Sequence, residues 1–378
     1  MTNKNSTYRR LGDYIREISV RNKDLSVSKL MGINIDKYFM PSVANVIGTD
    51  MSNYKVVANG QFACNLMHVG RDEKIPVALN TEDPIIVSPA YFVFEVCDDS
   101  LLPEYLELSL RNPEFDRNAW FHTDGDVRGG MDKEGMKDLL IPIPSIEEQR
   151  SIVSRYKAIE TRIANNKQTI AKLEEAAQAL YRKMFVDDVD VENLPDGWRM
   201  GCLGEVIKLG GGGTPSTANP EYWNSNDIAF YSPGDRTEEY FVLTTEKFIS
   251  KLGLEKCSSK LYPLYTTFVT ARGATTGRLA MAGNPMAMNQ TCYAILSKNN
   301  NPFYIHQLSI EVMAKLKNAA VGAVFEALTT KDFDSVDIII PNQEIIDSFE
   351  SKVKNIYESI LLSQKENEKL TEMLSLMA

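Results

Sequence analysis

The chain has 378 residues, 43% of them hydrophobic, and a formal net charge of −10. This length and composition predict two or three domains of a soluble globular protein. No apolar run approaches the roughly 20 residues of a membrane span, and the polar stretch 1–10 lacks the apolar core of a signal peptide, so we expect a cytoplasmic protein. The acidic total neither supports nor excludes nucleic-acid binding, because a local basic patch decides that question.

The cysteines and histidines are scattered, without the spacing of a zinc site or of a disulfide framework. We therefore expect this chain to bind no metal and no cofactor. The residues concerned are Cys64, Cys97, Cys202, Cys257, Cys292, His68, His122 and His306.

Residues 1–140 have a mixed α/β pattern, in which two polar loops that carry arginine, Met67–Pro76 and Asp124–Gly130, interrupt strand-forming runs. On composition alone, the simplest interpretation is that these loops only connect strands. The predicted strands are Phe62–Leu66 and Pro84–Val96, and the predicted helix is Leu102–Asn112.

A long amphipathic helix is predicted at Ile146–Phe185. Apolar residues recur there in two series of seven-residue steps, offset by four, which is the a/d seam of a coiled coil. Ser145 and Glu148 have the spacing of a capping box, and no Gly or Pro interrupts the following helix of about 60 Å. So narrow an apolar stripe needs a partner. The seam residues of this helix are Ile152, Tyr156, Ile159, Ile163, Asn166, Ile170 and Leu173.

The partner is predicted in the same chain. A shift of 197 residues places Ile152 on Phe349 and keeps the heptad phase to the end of the sequence. Duplication of a large module explains a repeat of this period. We expect the two helices to lie antiparallel, with Asn166 near Ser363 or its neighbours in a polar layer. The second seam consists of Phe349, Val353, Ile356, Ile360, Ser363 and Leu370.

The second globular block follows an acidic run and the turn Leu194–Trp198, which mark a domain boundary. Its opening, Leu203–Ile207, echoes Leu11–Ile15. The next feature, Gly210–Ser216, is not a phosphate-binding loop, because no Gly-Lys-Ser/Thr follows and Pro215 stops a helix. We expect instead a flexible loop whose glycines let the backbone approach another surface.

A glycine-bounded loop, Arg272–Arg278, lies between the predicted strands Leu264–Ala271 and Leu279–Ala282. It carries two arginines and two threonines, and Asn289 and Gln290 follow before another strand-like run. Such side chains contact base edges or phosphates when a loop pushes them into a groove. A hairpin whose glycines serve only the turn explains the spacing equally well.

Together these motifs resemble the specificity subunits of type I restriction–modification systems. The segment Ile141–Arg150, which leads into the heptad helix, is similar to the central conserved region of that family. The resemblance covers essentially the whole chain in the family's order, and the duplicated helix pair is its most specific part. The motifs similar to the family's target recognition domains are Leu194–Trp198, Gly211–Ser216 with Tyr222 and Trp223, Arg272 and Gly273 to Gly277, and Asn289 with Gln290.

The two halves depart from each other. The second helix opens with Asn342-Gln343-Glu344, and the first block lacks both the Leu-Pro-x-Gly-Trp opening and the Arg-Gly loop. Gly70-Arg71-Asp72 is an approximate counterpart of that loop.

The resemblance implies an α/β (α+β) fold, with two globular target recognition domains separated by a pair of long antiparallel coiled-coil helices. The expected recognition domains are residues 1–144 and 187–341. The central helix is expected at 145–186 and the C-terminal helix at 342–378.

The resemblance also implies a non-catalytic subunit that binds double-stranded DNA at a bipartite, asymmetric target. Two methyltransferase subunits would bind S-adenosylmethionine and methylate adenine, and motor/endonuclease subunits would use ATP, so the cofactors reside on the partners. The candidate DNA-binding residues are Arg272, Thr275, Thr276, Arg278, Asn289, Gln290, Gly212, Thr214, Arg236, Asn65, His68, Arg71 and Arg128.

Two other classes of protein are alternatives. One is a coiled-coil scaffold whose end domains bind only protein. Salt-dependent binding of duplex DNA would distinguish a DNA-binding specificity subunit from such a scaffold. The other is an enzyme with a polar cluster of Asp227, Asp235 and Arg236, although isolated carboxylates usually are solvated or structural. No methyltransferase Asp/Asn-Pro-Pro-Tyr motif is found, because Asn219–Tyr222 lacks the second proline, and there is no Walker loop.

Overall fold

The computed structural model describes residues 7–43, 48–67, 69–123, 130–319 and 327–377. The chain divides into two compact units, Met1–Thr161 with Thr371–Ala378, and Arg162–Leu370. Two long helices each contribute to both units. Among the described helices, none combines the length and the hydropathy that a membrane crossing needs.

The first unit combines short strands with helices. Its elements in chain order are β1 (Thr7–Arg10), β2 (Ile15–Glu17), β3 (Met31–Ile33), β4 (Phe39–Pro41), β5 (Lys55–Val57), β6 (Gln61–Cys64), α1 (Val69–Asp72), β7 (Val77–Leu79), β8 (Ile85–Val87), β9 (Phe92–Val96), α2 (Pro103–Arg111), α3 (Pro113–Phe121), α4 (Lys133–Asp138), β10 (Leu140–Ile143) and the start of α5 (Ile146–Phe185).

An antiparallel sheet of order β2-β9-β6-β7 forms the centre of the first unit. Phe62 and Phe94 stack across β6 and β9 with ring centroids 5.0 Å apart, a cross-strand pair of the kind that stabilises sheets. Apolar residues of α2 and α3 pack on the same core. The chain then passes through β10, which pairs antiparallel with β1, and enters α5.

The secondary structure of the first unit agrees with the sequence prediction, apart from local differences. The run Pro84–Val96 is two strands, because a turn in which the Tyr91 backbone N–H donates to Ser88 O interrupts it. The expected loop Met67–Pro76 contains the short helix α1. The expected helix Leu102–Asn112 is present as α2.

The second unit begins within α5 and ends within the last helix. Its further elements are β11 (Arg199–Cys202), β12 (Ile207–Gly211), β13 (Ile228–Tyr231), β14 (Phe241–Val242), β15 (Phe248–Ile249), α6 (Lys251–Glu255), β16 (Thr267–Thr270), β17 (Leu279–Ala282), β18 (Met286–Met288), β19 (Cys292–Ser297), α7 (Pro302–Ala319), α8 (Thr330–Asp334), β20 (Asp337–Ile340) and α9 (Gln343–Met377).

The second unit repeats the topology of the first. Its main sheet has the order β12-β19-β16-β17-β14, so its first four strands occupy the places of β2, β9, β6 and β7. β11 pairs with β20 as β1 pairs with β10. A 3-10 turn follows the first strand in both units, at Leu11–Asp13 and at Leu203–Glu205. This shared topology agrees with the duplication inferred from the repeat.

The long helix α5 has the bounds expected from the sequence. Its capping box is present: the Glu148 N–H donates to Ser145 Oγ, and the Ser145 N–H donates to Glu148 Oε2, each at 3.3 Å. All the seam positions of α5 and α9 are buried or half-buried. In the second unit the two helices are antiparallel, because Phe185 lies against Phe349, with ring centroids 5.3 Å apart, while Asn166 lies against Asn367.

A polar layer interrupts the helix seam at Asn166. Its Nδ2 donates to Asn367 Oδ1 at 2.9 Å and to Glu366 Oε2 at 2.8 Å, and Glu366 also accepts two hydrogen bonds from Arg162. The layer therefore lies about one turn beyond Ser363, the position expected from the repeat. Asn166 and Ser363 are equivalent in the sequence repeat, but equivalent residues need not lie opposite each other in an antiparallel pair. The contact of Asn166 with Asn367 is therefore compatible with the repeat.

Each long helix also caps a helix of its own unit. Gln149 is fully buried on α5; its Oε1 accepts the Leu102 N–H at 2.8 Å and its Nε2 donates to Ser100 O at 2.7 Å. On α9, the Glu350 carboxylate accepts the N–H groups of Phe303 and Tyr304 at 3.1 and 3.0 Å. Both contacts satisfy backbone donors at a helix start, which have no partner within their own helix.

Replacing Asn166 with Leu should destabilise the second unit by about 1–3 kcal/mol, because the buried amide of Asn367 then loses its partner. Replacing both asparagines with Leu should recover most of this loss, since no buried polar group remains unpaired. Urea unfolding of the two variants measures the difference. A double variant as unstable as the single one would show that the asparagine pair does not act as a unit.

Stability should depend on pH through Glu350. Burial, with a contribution from Asp347, raises the pKa of Glu350 from 4.5 to about 7, although its two hydrogen bonds from backbone N–H groups oppose the shift. The stabilisation from the neutral form is therefore complete below pH 4.5 and is lost as the pH rises through about 7. Glu350→Gln should flatten the change in melting temperature between pH 5 and pH 8, whereas Glu344→Gln, on an exposed position of α9, should leave it as in the wild type.

Candidate nucleic-acid interface

The connection between β16 and β17 is a tight turn that presents two arginines. Gly273 and Gly277 have φ angles of +99° and +79°, in the region that favours glycine. The Thr276 hydroxyl donates to Gly273 O at 2.6 Å and its side chain is buried. Arg272 and Arg278 are exposed. The turn therefore uses Thr276 to hold its own shape and leaves the guanidinium groups accessible.

A cavity of about 770 Å³ lies beside this turn, between β17, α7 and the second-unit part of α5. Burial and the nearby Glu239 raise the pKa of Glu174 in its wall to about 7. The Arg236 Nε donates to Leu279 O at 3.3 Å, so this guanidinium is partly engaged with backbone. Cationic and acidic side chains alternate in its lining, and the raised pKa leaves Glu174 partly neutral near pH 7. Its charged lining residues are Arg236, Arg278, Lys317, Glu174, Glu238 and Glu239.

The glycine-rich loop approaches the backbone before β19 very closely. A Cβ on Gly212 would lie 1.8 Å from the carbonyl oxygen of Asn289, whereas a Cβ on Gly211 would meet no atom within 4 Å. The Gly213 N–H donates to Met288 O at 3.0 Å, and the Tyr262 hydroxyl donates to Gly211 O at 2.7 Å. These contacts lie within the second unit and hold the loop, whereas the sequence predicted a flexible loop. The approach of its backbone to another surface stays a prediction.

The close approach brings Thr214 next to Gln290. The Thr214 hydroxyl donates to Gln290 Oε1, and both side chains are exposed. Asn289 differs, because its Oδ1 accepts the N–H and the hydroxyl of Thr291 at 3.1 and 2.7 Å. The sequence pair Asn289-Gln290 is thus divided: the first side chain shapes a turn and the second faces outwards.

In the first unit the connection between β6 and β7 occupies the place of the β16–β17 turn. Asn65 Oδ1 accepts the Met67 N–H at 3.1 Å, so this side chain shapes the turn. Arg71 is exposed and forms an ion pair with Asp72 at 2.7 Å. The topology therefore makes Gly70-Arg71-Asp72 a counterpart of the Arg272–Arg278 turn. His68 and Arg128 lie outside the described residues.

The carboxylates of the enzyme alternative have local roles or lie on the surface. Asp235 accepts the Ser232 N–H and hydroxyl, each at 2.7 Å, and the Glu246 N–H at 2.7 Å. Asp227 is exposed. Within the described ranges, no group of three or more His, Cys, Asp or Glu side chains is arranged to hold a metal ion.

Sequence reasoning did not identify the residues that hold these loops. Tyr262 and Ser258 fix the glycine-rich loop by bonding to the Gly211 and Gly212 carbonyls, at 2.7 and 3.3 Å. Lys317 reaches the turn from α7. No local pattern marks these residues, because each acts across a large sequence separation.

The fold is similar to that of a solved S subunit of a type I restriction–modification system. A crystal structure of the S subunit of a type I restriction–modification system from M. genitalium aligns with 100% of this chain and 96% of that chain, with a TM-score of 0.62 and 15% sequence identity. A likeness at this identity establishes the architecture.

Sequence comparison finds similarity to type I specificity subunits. Residues 195–372 match the model for the type I restriction modification DNA specificity domain. The HindI specificity subunit of Haemophilus influenzae is 25% identical over an alignment of 447 residues that covers 97% of this chain and 96% of that protein. The MjaIX specificity subunit of Methanocaldococcus jannaschii is 23% identical over 284 residues, covering 71% of this chain and 65% of that protein. Residues 195–372 are thus similar to this DNA specificity domain, and nearly the whole chain is similar to a type I specificity subunit.

Gly212→Ala should destabilise the second unit by about 1–3 kcal/mol, because the added methyl group overlaps the Asn289 carbonyl and must push two loops apart. Gly211→Ala is the matched control, since its methyl group enters open space, and it should unfold at the wild-type temperature. Thermal unfolding of both variants tests this. Equal behaviour of the two would mean that the close contact is not a constraint.

Proposed function

We propose that this chain is the subunit that recognises DNA sequence in a type I restriction–modification complex. Each unit contacts one half of a bipartite, asymmetric target, and the chain itself performs no chemistry. The match of residues 195–372 to a DNA specificity domain and the repeat of one topology in both units support this proposal. The alternative of a scaffold that binds only protein accounts for the helices, but not for the similarity to a DNA specificity domain.

The observation that carries the proposal is the equivalence of two connections in the repeated sheet. The β6–β7 connection exposes Arg71 and the β16–β17 connection exposes Arg272 and Arg278. A duplicated protein with an exposed guanidinium at the same place in each copy is suited to contact two separate segments of one duplex. Arginine binds both phosphate and the guanine edge with paired hydrogen bonds.

The partners follow from the same proposal. Two methyltransferase subunits bind S-adenosylmethionine and methylate an adenine in each half of the target. Motor and endonuclease subunits driven by ATP complete the restriction complex, and this chain binds neither cofactor. The complex acts in the cytoplasm.

The proposal is tested by mapping methylated adenines in the genome of a host that expresses this chain together with its methyltransferase subunits. A split motif with two defined halves and an unspecified spacer is the expected result. Methylation that is lost with a deletion of this chain and restored by its expression assigns recognition to it. Methylation that persists unchanged in the deletion strain contradicts the proposal.

Replacing Arg272 and Arg278 singly with Ala separates their roles in the assembled methyltransferase. If one contacts a guanine edge, its loss should cost about 1–3 kcal/mol of affinity and relax preference at a single base pair. If the other contacts phosphate, its loss should weaken binding to all DNA sequences alike. It should also reduce the slope of the logarithm of affinity against the logarithm of salt concentration by about one. Affinities for cognate and single-mismatch duplexes at several salt concentrations distinguish these effects.

Arg199→Ala is the charge-matched control, because Arg199 is an exposed arginine of the same unit that lies on β11 and not in the β16–β17 turn. It should retain both the discrimination and the salt slope of the wild type. Wild-type affinity and discrimination in the double variant of Arg272 and Arg278 would reduce the turn to a connection between strands.

A further inference from the structure

The side chain of Gln290 is exposed on a rigid base. The backbone of the residue before it lies against the glycine-rich loop, where the Gly213 N–H donates to Met288 O and the Ser259 hydroxyl donates to the same oxygen at 2.8 Å. The Asn289 N–H donates to Tyr231 O at 3.0 Å. Three separate parts of the second unit therefore fix the turn, and the side chain of Gln290 is exposed on it.

Thr214 contacts that amide. Its hydroxyl donates to Gln290 Oε1, so the amide is held with Nε2 directed away from the glycine-rich loop. One lone pair of Oε1 is used, and the other lone pair and both Nε2 hydrogens are available. Thr214 can take this position because Gly212 lets the loop backbone lie against Asn289, where any other residue would overlap it.

An amide with one donor and one acceptor directed outwards matches the edge of adenine in the major groove. Nε2 donates to adenine N7, and the free lone pair of Oε1 accepts from adenine N6. A free glutamine side chain would lose several rotamers when it binds a base. The Thr214 hydroxyl holds one end of the amide, which lowers the conformational freedom that the side chain loses on binding.

We propose that Gln290 contacts an adenine in the half of the target that the second unit recognises, and that Thr214 is its positioning residue. This inference rests on the proposed function and names one base contact within it. Thr214 contributes to sequence preference without touching DNA. Asn289, whose Oδ1 is occupied by Thr291, contributes only the shape of the turn.

The experiment measures binding of the assembled methyltransferase to its cognate duplex and to duplexes changed at each base pair of the second half. Gln290→Leu, which keeps the size but removes the amide, should lower discrimination about tenfold at a single A·T pair. Thr214→Val should lower discrimination at the same pair by about threefold to tenfold, with affinity for non-cognate DNA unchanged. Thr214→Ser, which keeps the hydroxyl, should behave as the wild type.

Two further measurements make the test specific. The double variant of Thr214→Val and Gln290→Leu should be no worse than Gln290→Leu alone, because a positioning residue has no effect once its target is absent. A duplex with 7-deazaadenine at the identified pair should lower wild-type binding and should not lower binding of Gln290→Leu further. Thr217→Val, on an exposed position of the same loop, is the control and should change nothing.

Several outcomes overturn the inference. Thr214→Val that weakens all duplexes equally would assign Thr214 a purely structural role, and wild-type discrimination in Gln290→Leu would remove the base contact. Additive effects in the double variant would show that the two residues act separately. If the wild-type assembly itself does not discriminate between sequences, the proposed function fails and the inference fails with it, which differs from failure of the variants alone.

Discussion

The second unit depends on the packing of two long helices that cannot bury their apolar stripes alone. Phe349 of α9 is fully buried against Tyr181 and Phe185 of α5. The same helix stacks Tyr357 on Phe303 of α7 with ring centroids 4.3 Å apart. The helices are thus part of the wall of the globular core. Because the heptad seam fixes their register, it also fixes where α7 and the sheet behind it can lie.

The candidate interface is rigid at its base and polar at its surface. The glycine-rich loop and the turn before β19 hold each other through backbone hydrogen bonds, so a side chain such as that of Gln290 protrudes from a fixed frame. A preorganised side chain loses less conformational freedom on binding, which favours recognition. The exposed arginines give an acidic protein local positive charge, and local charge determines contact with phosphates.

The sequence by itself determined the features that arise from residue patterns within a short stretch of the chain. The bounds of α5, its capping box and its seam follow from a repeating pattern within one helix, and the structure agrees with them. The β16–β17 hairpin was predictable for the same reason, because turn residues act over a few neighbours. The repeat of 197 residues indicated duplication, and four strands of the main sheet have the same order in both units.

Only the tertiary structure decided which polar side chains face outwards and what they contact. Thr276 and Asn289 belong to the same residue types as Thr214 and Gln290, yet the first two shape their turns while the other two meet on the surface. The repeat placed Asn166 near Ser363 or its neighbours, and packing along both helices decided that Glu366 and Asn367 are its partners. Likewise, the equivalence of the loops after β6 and β16 depends on strand order. These features arise from contacts between residues far apart in the chain, so local residue patterns do not predict them.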